Sequence, residues 1–394
     1  MLAQVILHPF ITKYIISWAK LYQLFLFLPF LHHCLMWSRF VVTRQFLYQS
    51  KAISNYYLMS TRSVTVSLYA KEREVGIDAV LRASRLCQTV FKHIVSSQSI
   101  MKADKSPVTI ADYGAQAVVN SLLKKAFPND LIVGEEDAAD LNTNDTLSTQ
   151  VVDLANSVLP NPLSTQEILT AIDLGKSLGC KQGRFWTLDP IDGTKGFLRG
   201  DQYAVCLALI VDGVVQVAVQ GCPNLPHSIS DPFGSRGSLF VAVRGQGAFE
   251  RLMDSNLEHQ IRVLQEDDPA GTQFCESFEA AHSSQSDTAQ IGQKLNISKP
   301  SVRMDSQCKY AVLARGDAGI YLRIPARADY VEKIWDHAGG SLLVEEAGGR
   351  VSDVSGKPLD FTKGRTLSGN KGIVATNGLI HKKVLDAVQS VLKL

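Results

Sequence analysis

The apolar run Phe185-Trp186-Thr187-Leu188 leads directly into Asp189-Pro190-Ile191-Asp192-Gly193-Thr194-Lys195-Gly196. Such a run reads as a buried strand, and because proline cannot donate to a ladder the strand is expected to break at Pro190. Two carboxylates in i, i+3 register then stand at the strand's carboxyl end. With the Ile191 carbonyl they could gather around a hard cation, since Mg²⁺ takes oxygen ligands and few of them from protein. If Gly193 and Thr194 open a helix, their backbone N–H groups would face an anion such as phosphate. The same residues also fit a plain strand ending in an Asx-turn.

The rest of the chain bears on that choice. Residues 1–71 hold seven Lys/Arg and no acid, the first being Glu72; the remainder holds 33 basic and 38 acidic residues. A mildly acidic body excludes the strong basic surplus of a general nucleic-acid binder. The leader, residues 1–68, has the composition of an organellar transit peptide for chloroplast or mitochondrion and is expected to lie outside the fold. Gln23, Pro29, His32 and His33 interrupt its apolar centre and argue against a membrane span. The alternatives are a signal anchor and a cytoplasmic chain starting at Met59. The seven cysteines show no C-x-x-C and no zinc spacing. They read as buried, inert thiols in a reducing compartment, with a redox pair such as Cys180 and Cys222 as the alternative.

Residues 69–394 are expected to form one body, with subdomains at about 69–250 and 251–394. Helical spacing runs from 72 to 95, and Asp112 is placed to cap a second helix reaching Phe127. A short strand at 131–133 ends in Gly134-Glu135-Glu136-Asp137, again presenting acids at a strand's carboxyl end. Residues 138–183 read as an inserted surface segment with one helix, opened by the capping box Ser164-Thr165-Gln166-Glu167. Asp212-Gly213 marks a hairpin between strands 203–211 and 214–221, and a second hairpin is expected over 239–249. Strands at 274–278, 320–324, 350–354 and 372–376 alternate with helices opening near Asp305 and Asp336 and a closing helix at 380–392, with Asp336 placed as an N-cap.

Four stretches stand together: Ala111-Asp112, Gly134-Glu135-Glu136, Asp189-Pro190-Ile191-Asp192-Gly193-Thr194 and Trp335-Asp336-His337-Ala338-Gly339. In order and content they resemble the lithium-sensitive, Mg²⁺-dependent superfamily of inositol monophosphatases, fructose-1,6-bisphosphatases and 3′(2′),5′-bisphosphate nucleotidases. Lys195-Gly196-Phe197-Leu198-Arg199-Gly200, Glu279-Ala280-Ala281-His282, Met304-Asp305-Ser306-Gln307-Cys308-Lys309-Tyr310 and Tyr321-Leu322-Arg323 are similar to the nucleotidase branch, its plant members in particular. The resemblance implies an α/β fold, the layered α-β-α-β-α sandwich of that superfamily. It implies two or three Mg²⁺ ions held by Glu135, Asp189, Asp192, Asp336 and the Ile191 carbonyl, with Glu136 a weaker candidate. Asp112 and Thr194 would be the catalytic pair that takes a proton from water. Gly193, Thr194, His282, Ser306, Lys309, Arg323 and Asp336 would bind substrate, with Lys309 and Arg323 on the 5′-phosphate.

The implied reaction removes the 3′-phosphate of 3′-phosphoadenosine 5′-phosphate, or of its sulfated form, to leave AMP or adenylyl sulfate. The implied enzyme is a monomer acting on a small-molecule nucleotide, with neither nucleic acid nor membrane as partner. Inositol polyphosphate 1-phosphatase or inositol monophosphatase activity is the alternative on the same metals. A nucleotide sensor without turnover is the alternative from another class; the intact set of acids speaks against it.

Overall fold

The computed structural model describes residues 68–96, 106–278, 284–325, 327 and 329–394. Of the sequence-based expectations, those for residues 1–67 of the leader (1–68) and for His282 lie outside the described residues. Residues 68–394 form one compact unit. No helix among the described residues is long and apolar enough to cross a membrane.

Two long helices, α1 (Ala70–Ser96) and α2 (Ser106–Ala126), form the first layer. They pack on a seven-stranded sheet in simple sequence order: β1 (Leu131–Gly134), β2 (Arg184–Asp192), β3 (Ala204–Val211), β4 (Val214–Pro226), β5 (Arg236–Val243), β6 (Gly247–Leu252) and β7 (Glu258–Ile261). Within this sheet, among the described residues, β1 and β2 pair in parallel and the other neighbours antiparallel. Against the other face lie α7 (Cys308–Ala314) and α8 (Ala338–Glu346). A second sheet of five strands follows, ordered β11 (Arg350–Ser352), β12 (Ile373–Thr376), β10 (Ile320–Arg323), β8 (Phe274–Ser277), β9 (Val302–Met304). The outer layer is α6 (Gln285–Lys294) and α9 (His381–Leu392). The succession is α-β-α-β-α. Each sheet is apolar on both faces, as the near-continuous burial of β3 and β5 requires.

Several local expectations change in the tertiary structure. Asp112 does not cap α2 but sits within it, buried and 7% exposed, because the helix begins at Ser106. Strand β2 does not end at Pro190: its register with β3 slips between Asp189 and Asp192 and pairing resumes at Asp192 with Ala204. A bulge of this kind absorbs the missing donor. The N-cap position of helix α8 falls one residue later than expected, at His337, whose side chain makes no capping hydrogen bond, so Asp336 precedes it.

Segment 138–183 carries two α-helices, α3 (Asp145–Asn156) and α4 (Thr165–Asp173), and a short 3-10 turn at Leu141–Thr143, where one helix was expected. It is no mere surface insertion. Leu141, Val151, Ala155, Ile168 and Ile172 belong to the main core, and burying a large aliphatic side chain contributes about 1.5–3 kcal/mol. The capping box at Ser164 is present. In the β3–β4 hairpin Asp212 and Gly213 both take positive φ, 50° and 78°, the twist that a two-residue hairpin turn needs.

Candidate active site

The parallel register explains the first acid pair. Gly134 pairs with Leu188, so the next residues, Glu135 just after β1 and Asp189 at the bulge within β2, come side by side toward the carboxyl edge. The bulge after Asp189 then turns Asp192 toward the same edge. The third acid comes from the far half of the chain: carboxylate oxygens of Asp189, Asp192 and Asp336 all lie within 4.8 Å of one another. Asp336 lies just before α8, which packs closely on α7. A Cβ on Gly340 would stand 2.2 Å from the Tyr310 ring, so only glycine allows this approach.

These acids line a cavity of about 250 Å³ together with Ile191, Gly193, Thr194, Ser306, Lys309 and Arg323. A second cavity is bordered by Asp112, Glu135, Glu136, Ile191 and Thr194, so Glu135, Ile191 and Thr194 serve both. Every described site residue expected from sequence is therefore on one of two cavities sharing a wall.

Electrostatically the cluster is in need of a cation. Burial, then the charges of Glu135, Asp192, Asp336 and Asp112, push the Asp189 carboxyl well above its ordinary range. Burial and then Asp192 and Glu135 do the same to Asp336. Glu135 is reached by solvent, yet desolvation in the cavity wall and the charge of Asp192 raise it too. Burial and then Glu136 and Glu135 raise Asp112. Glu136 is pushed to about 7 by burial and by Glu135, Asp137 and Asp140. The Asp189 Oδ1 atom is buried without a hydrogen-bond partner. Clustered carboxylates, one with an orphaned oxygen, suit a hard divalent cation such as Mg²⁺, which prefers oxygen donors.

The opposite wall is cationic. The Lys309 Nζ is buried and donates to the Ser306 carbonyl at 2.6 Å and the Met304 carbonyl at 3.5 Å. An ammonium has three donors, so one is left for a ligand. Burial lowers its pKa, against the opposing pull of Asp192. Arg323 donates from Nε to Glu332 at 3.1 Å and from Nη2 to the Tyr330 hydroxyl at 3.3 Å. Between the walls, the Gln307 N–H donates to Asp192 and Asp305 is bound by Arg199. Gly193 has φ 88°, and a Cβ there would meet the Ser306 Cβ at 2.8 Å, so the turn into α5 (Thr194–Arg199) requires glycine. Ser306 itself takes φ 64°, an uncommon conformation for a non-glycine residue, and at a cavity wall a mark of a constrained site.

Sequence reasoning missed the supports. Glu332 accepts from Arg323 and also contacts His337 Nε2 at 3.1 Å, while His337 Nδ1 meets the Tyr310 hydroxyl at 2.9 Å. No short-range pattern marks Glu332, because its partners are brought to it only by folding. Six cysteines are described, all free, and only Cys180 is partly accessible. Cys222 has Cys308 and Gln220 as its neighbours.

The inositol monophosphatase family profile matches residues 69–393. A 3′(2′),5′-bisphosphate nucleotidase of Schizosaccharomyces pombe is 47% identical over 336 residues, covering 81% of this chain and 95% of that protein. One from Oryza sativa is 46% identical over 342 residues, covering 82% and 95%. Among solved structures, an inositol monophosphatase from Anabaena superposes with a TM-score of 0.52 at 21% identity, covering 82% of this chain and 97% of that one, a likeness of fold. The family is metal-dependent, in keeping with the acid cluster. Profile, relatives and layered architecture agree, and the chain belongs to the inositol monophosphatase family.

Proposed function

We propose that this chain hydrolyses the 3′-phosphate of 3′-phosphoadenosine 5′-phosphate, and of its sulfated form, leaving AMP or adenylyl sulfate and inorganic phosphate. The observation that carries this reading is the polarity of the main cavity: an acid cluster at one wall and two cations, the buried Lys309 and the partly buried Arg323, at the other. A monophosphate needs one anion site; a bisphosphate needs the second. The names of the relatives support the same substrate class.

In this reading Glu135, Asp189, Asp192, Asp336 and the Ile191 carbonyl hold two or three Mg²⁺ ions. Bound there, Mg²⁺ supplies Lewis-acid activation of water and neutralises the charge that gathers on the departing oxygen. The Thr194 Oγ1 takes the proton of the attacking water and passes its own to the Asp112 carboxylate. A threonine hydroxyl needs such an acceptor, and Asp112 borders the same cavity. The N–H groups at Gly193 and Thr194 orient the phosphate oxygens. Lys309 and Arg323 hold the 5′-phosphate through charge-assisted hydrogen bonds, and Ser306 and His282 contact the phosphate and ribose. Catalysis is then mostly positioning and electrostatics, as phosphoryl transfer demands.

We further propose a monomer, and a leader that delivers the enzyme to chloroplast or mitochondrion. A fluorescent fusion of residues 1–68 that stays in the cytosol or the secretory pathway would remove the second proposal. The function itself is tested by phosphate release from residues 69–394, comparing the bisphosphonucleotide, its sulfated form and inositol 1-phosphate, with and without Mg²⁺ and Li⁺. Preference for the nucleotides, dependence on Mg²⁺ and inhibition by Li⁺ are expected. Equal rates on inositol 1-phosphate would favour the inositol phosphatase reading, and no turnover would favour a sensor.

A further inference from the structure

Glu135 and Asp336 come from distant parts of the chain, and neither is held by an extended element at its own position. Glu135 follows the last residue of β1, and Asp336 precedes α8. One side chain reaches the backbone behind both. The Arg365 Nη2 donates to the Gly134 carbonyl at 2.6 Å, the residue directly before Glu135. Its Nη1 donates to the Gly175 and Ser177 carbonyls at 2.8 and 3.2 Å. Gly175 in turn accepts from the Gly134 N–H at 2.9 Å, so the fork closes a small network under the end of β1.

The same guanidinium lies 4.8 Å from the centre of the Trp335 ring, the residue directly before Asp336. The backbone of this region is tied in as well. The Ile334 N–H donates to the Arg365 carbonyl at 3.2 Å and the Leu367 N–H to the Glu332 carbonyl at 2.9 Å, around an antiparallel bridge between Lys333 and Thr366. Thus one residue touches the chain immediately ahead of two acids that face the same cavity.

We propose that Arg365 is a positioning residue: by clamping the Gly134 carbonyl and the Trp335 ring it keeps Glu135 and Asp336 facing the cavity they both line, where they serve as metal ligands. This inference rests on the metal reading given above. A planar fork can serve three carbonyls and stack on an indole at once, whereas an ammonium is a point donor without a stacking face. Arg365→Lys therefore keeps the charge and loses the clamp. Residues that orient ligands from behind typically change metal affinity by about 10- to 100-fold when replaced.

The test is Mg²⁺ binding by titration calorimetry on residues 69–394, for wild type, Arg365→Lys and Arg365→Ala, with thermal melts in chelator. Arg315→Lys is the control, since Arg315 sits in a buried ion cluster with Glu250 and Asp317 and lines neither cavity of the site. The expected result is Mg²⁺ affinity weakened about 10- to 100-fold in Arg365→Lys, with turnover largely regained at saturating Mg²⁺. Arg315→Lys should lose thermal stability and keep its affinity. Unchanged Mg²⁺ affinity in Arg365→Lys, or an equal loss in Arg315→Lys, overturns the inference alone. Wild-type protein that binds no Mg²⁺ overturns the metal reading, and this inference with it.

Discussion

Arg323 and Glu332 form a buried ion pair, Nε to Oε1 at 3.1 Å, with side chains 15% and 4% exposed. The carboxylate also meets His337, which leads on to the Tyr310 hydroxyl. Burial would raise the Glu332 carboxyl, but the hydrogen bond to His337 and the charges of His337 and Arg323 prevail and hold it below the ordinary range. An arginine so fixed presents a pre-set guanidinium to the cavity instead of a mobile one.

If Arg323 grips the 5′-phosphate, the grip is remote from the bond that breaks and governs substrate choice. A hydrogen bond to a charged group contributes about 1.5–3 kcal/mol, so Arg323→Ala should lower kcat/KM on the bisphosphonucleotide roughly 10- to 100-fold. The rate on inositol 1-phosphate, which has no second phosphate, should barely change. Equal losses on both substrates would assign Arg323 to the fold or the metal site.

Glu332→Gln keeps the shape and removes the charge that orients Arg323. A buried charge left without its partner is costly. The expected outcome is a lower melting temperature and a higher KM for the bisphosphonucleotide, with kcat on inositol 1-phosphate retained. A variant with wild-type KM would show that Arg323 needs no ionic orientation.

Asp189 stands among Glu135, Asp192 and Asp336 with an orphaned oxygen. Without a cation these charges repel. Asp189→Asn should therefore abolish turnover yet melt at the same or a higher temperature than wild type in chelator. Added Mg²⁺ should stabilise wild type and do little for the variant. Near-wild-type turnover would dismiss the assignment of Asp189 as a metal ligand.

His381 gives the pH dependence. Its Nε2 lies 3.0 Å from the Ser352 Oγ, whose own proton goes to the Asp353 carbonyl, and its Nδ1 lies 3.0 Å from the Thr376 Oγ1. The ring is thus held neutral, and burial, helped by Arg350, lowers its pKa to about 4. A depressed histidine stabilises the fold fully above its unfolded pKa, near 6.5; that contribution drains away as pH falls toward 4. The span corresponds to about 3 kcal/mol. Denaturant melts at pH 7 and pH 5 should show a larger stability loss in wild type than in His381→Gln; parallel losses would mean that His381 is not the titrating group.

Five of the six described thiols are buried, and burial raises Cys87, Cys206, Cys222 and Cys275. The thiolate is the reactive form. On native residues 69–394 a disulfide reagent should label Cys180 first and leave the others until unfolding. Fast labelling in Cys180→Ser would reveal an opening of the core that the packing does not predict.

What the sequence determined by itself was set within a few residues. Asp189-Pro190-Ile191-Asp192-Gly193-Thr194 places two acids and a required glycine at a strand's end, Asp212-Gly213 specifies its hairpin, and Ser164 with Glu167 caps α4, because each depends on dihedral preference or i, i+3 contact. The resemblance of the four acid-bearing stretches added their assignment to one site. The tertiary structure alone decided where Asp112 falls along α2, that β2 continues past Pro190 through a bulge, and that 138–183 belongs to the core. It alone joined Glu332 to Arg323, and Arg365 to Gly134 and Trp335. These features rest on burial and on hydrogen bonds between groups up to 231 residues apart. An arginine that closes such a contact has no local signature, since its partners are backbone carbonyls that every residue possesses.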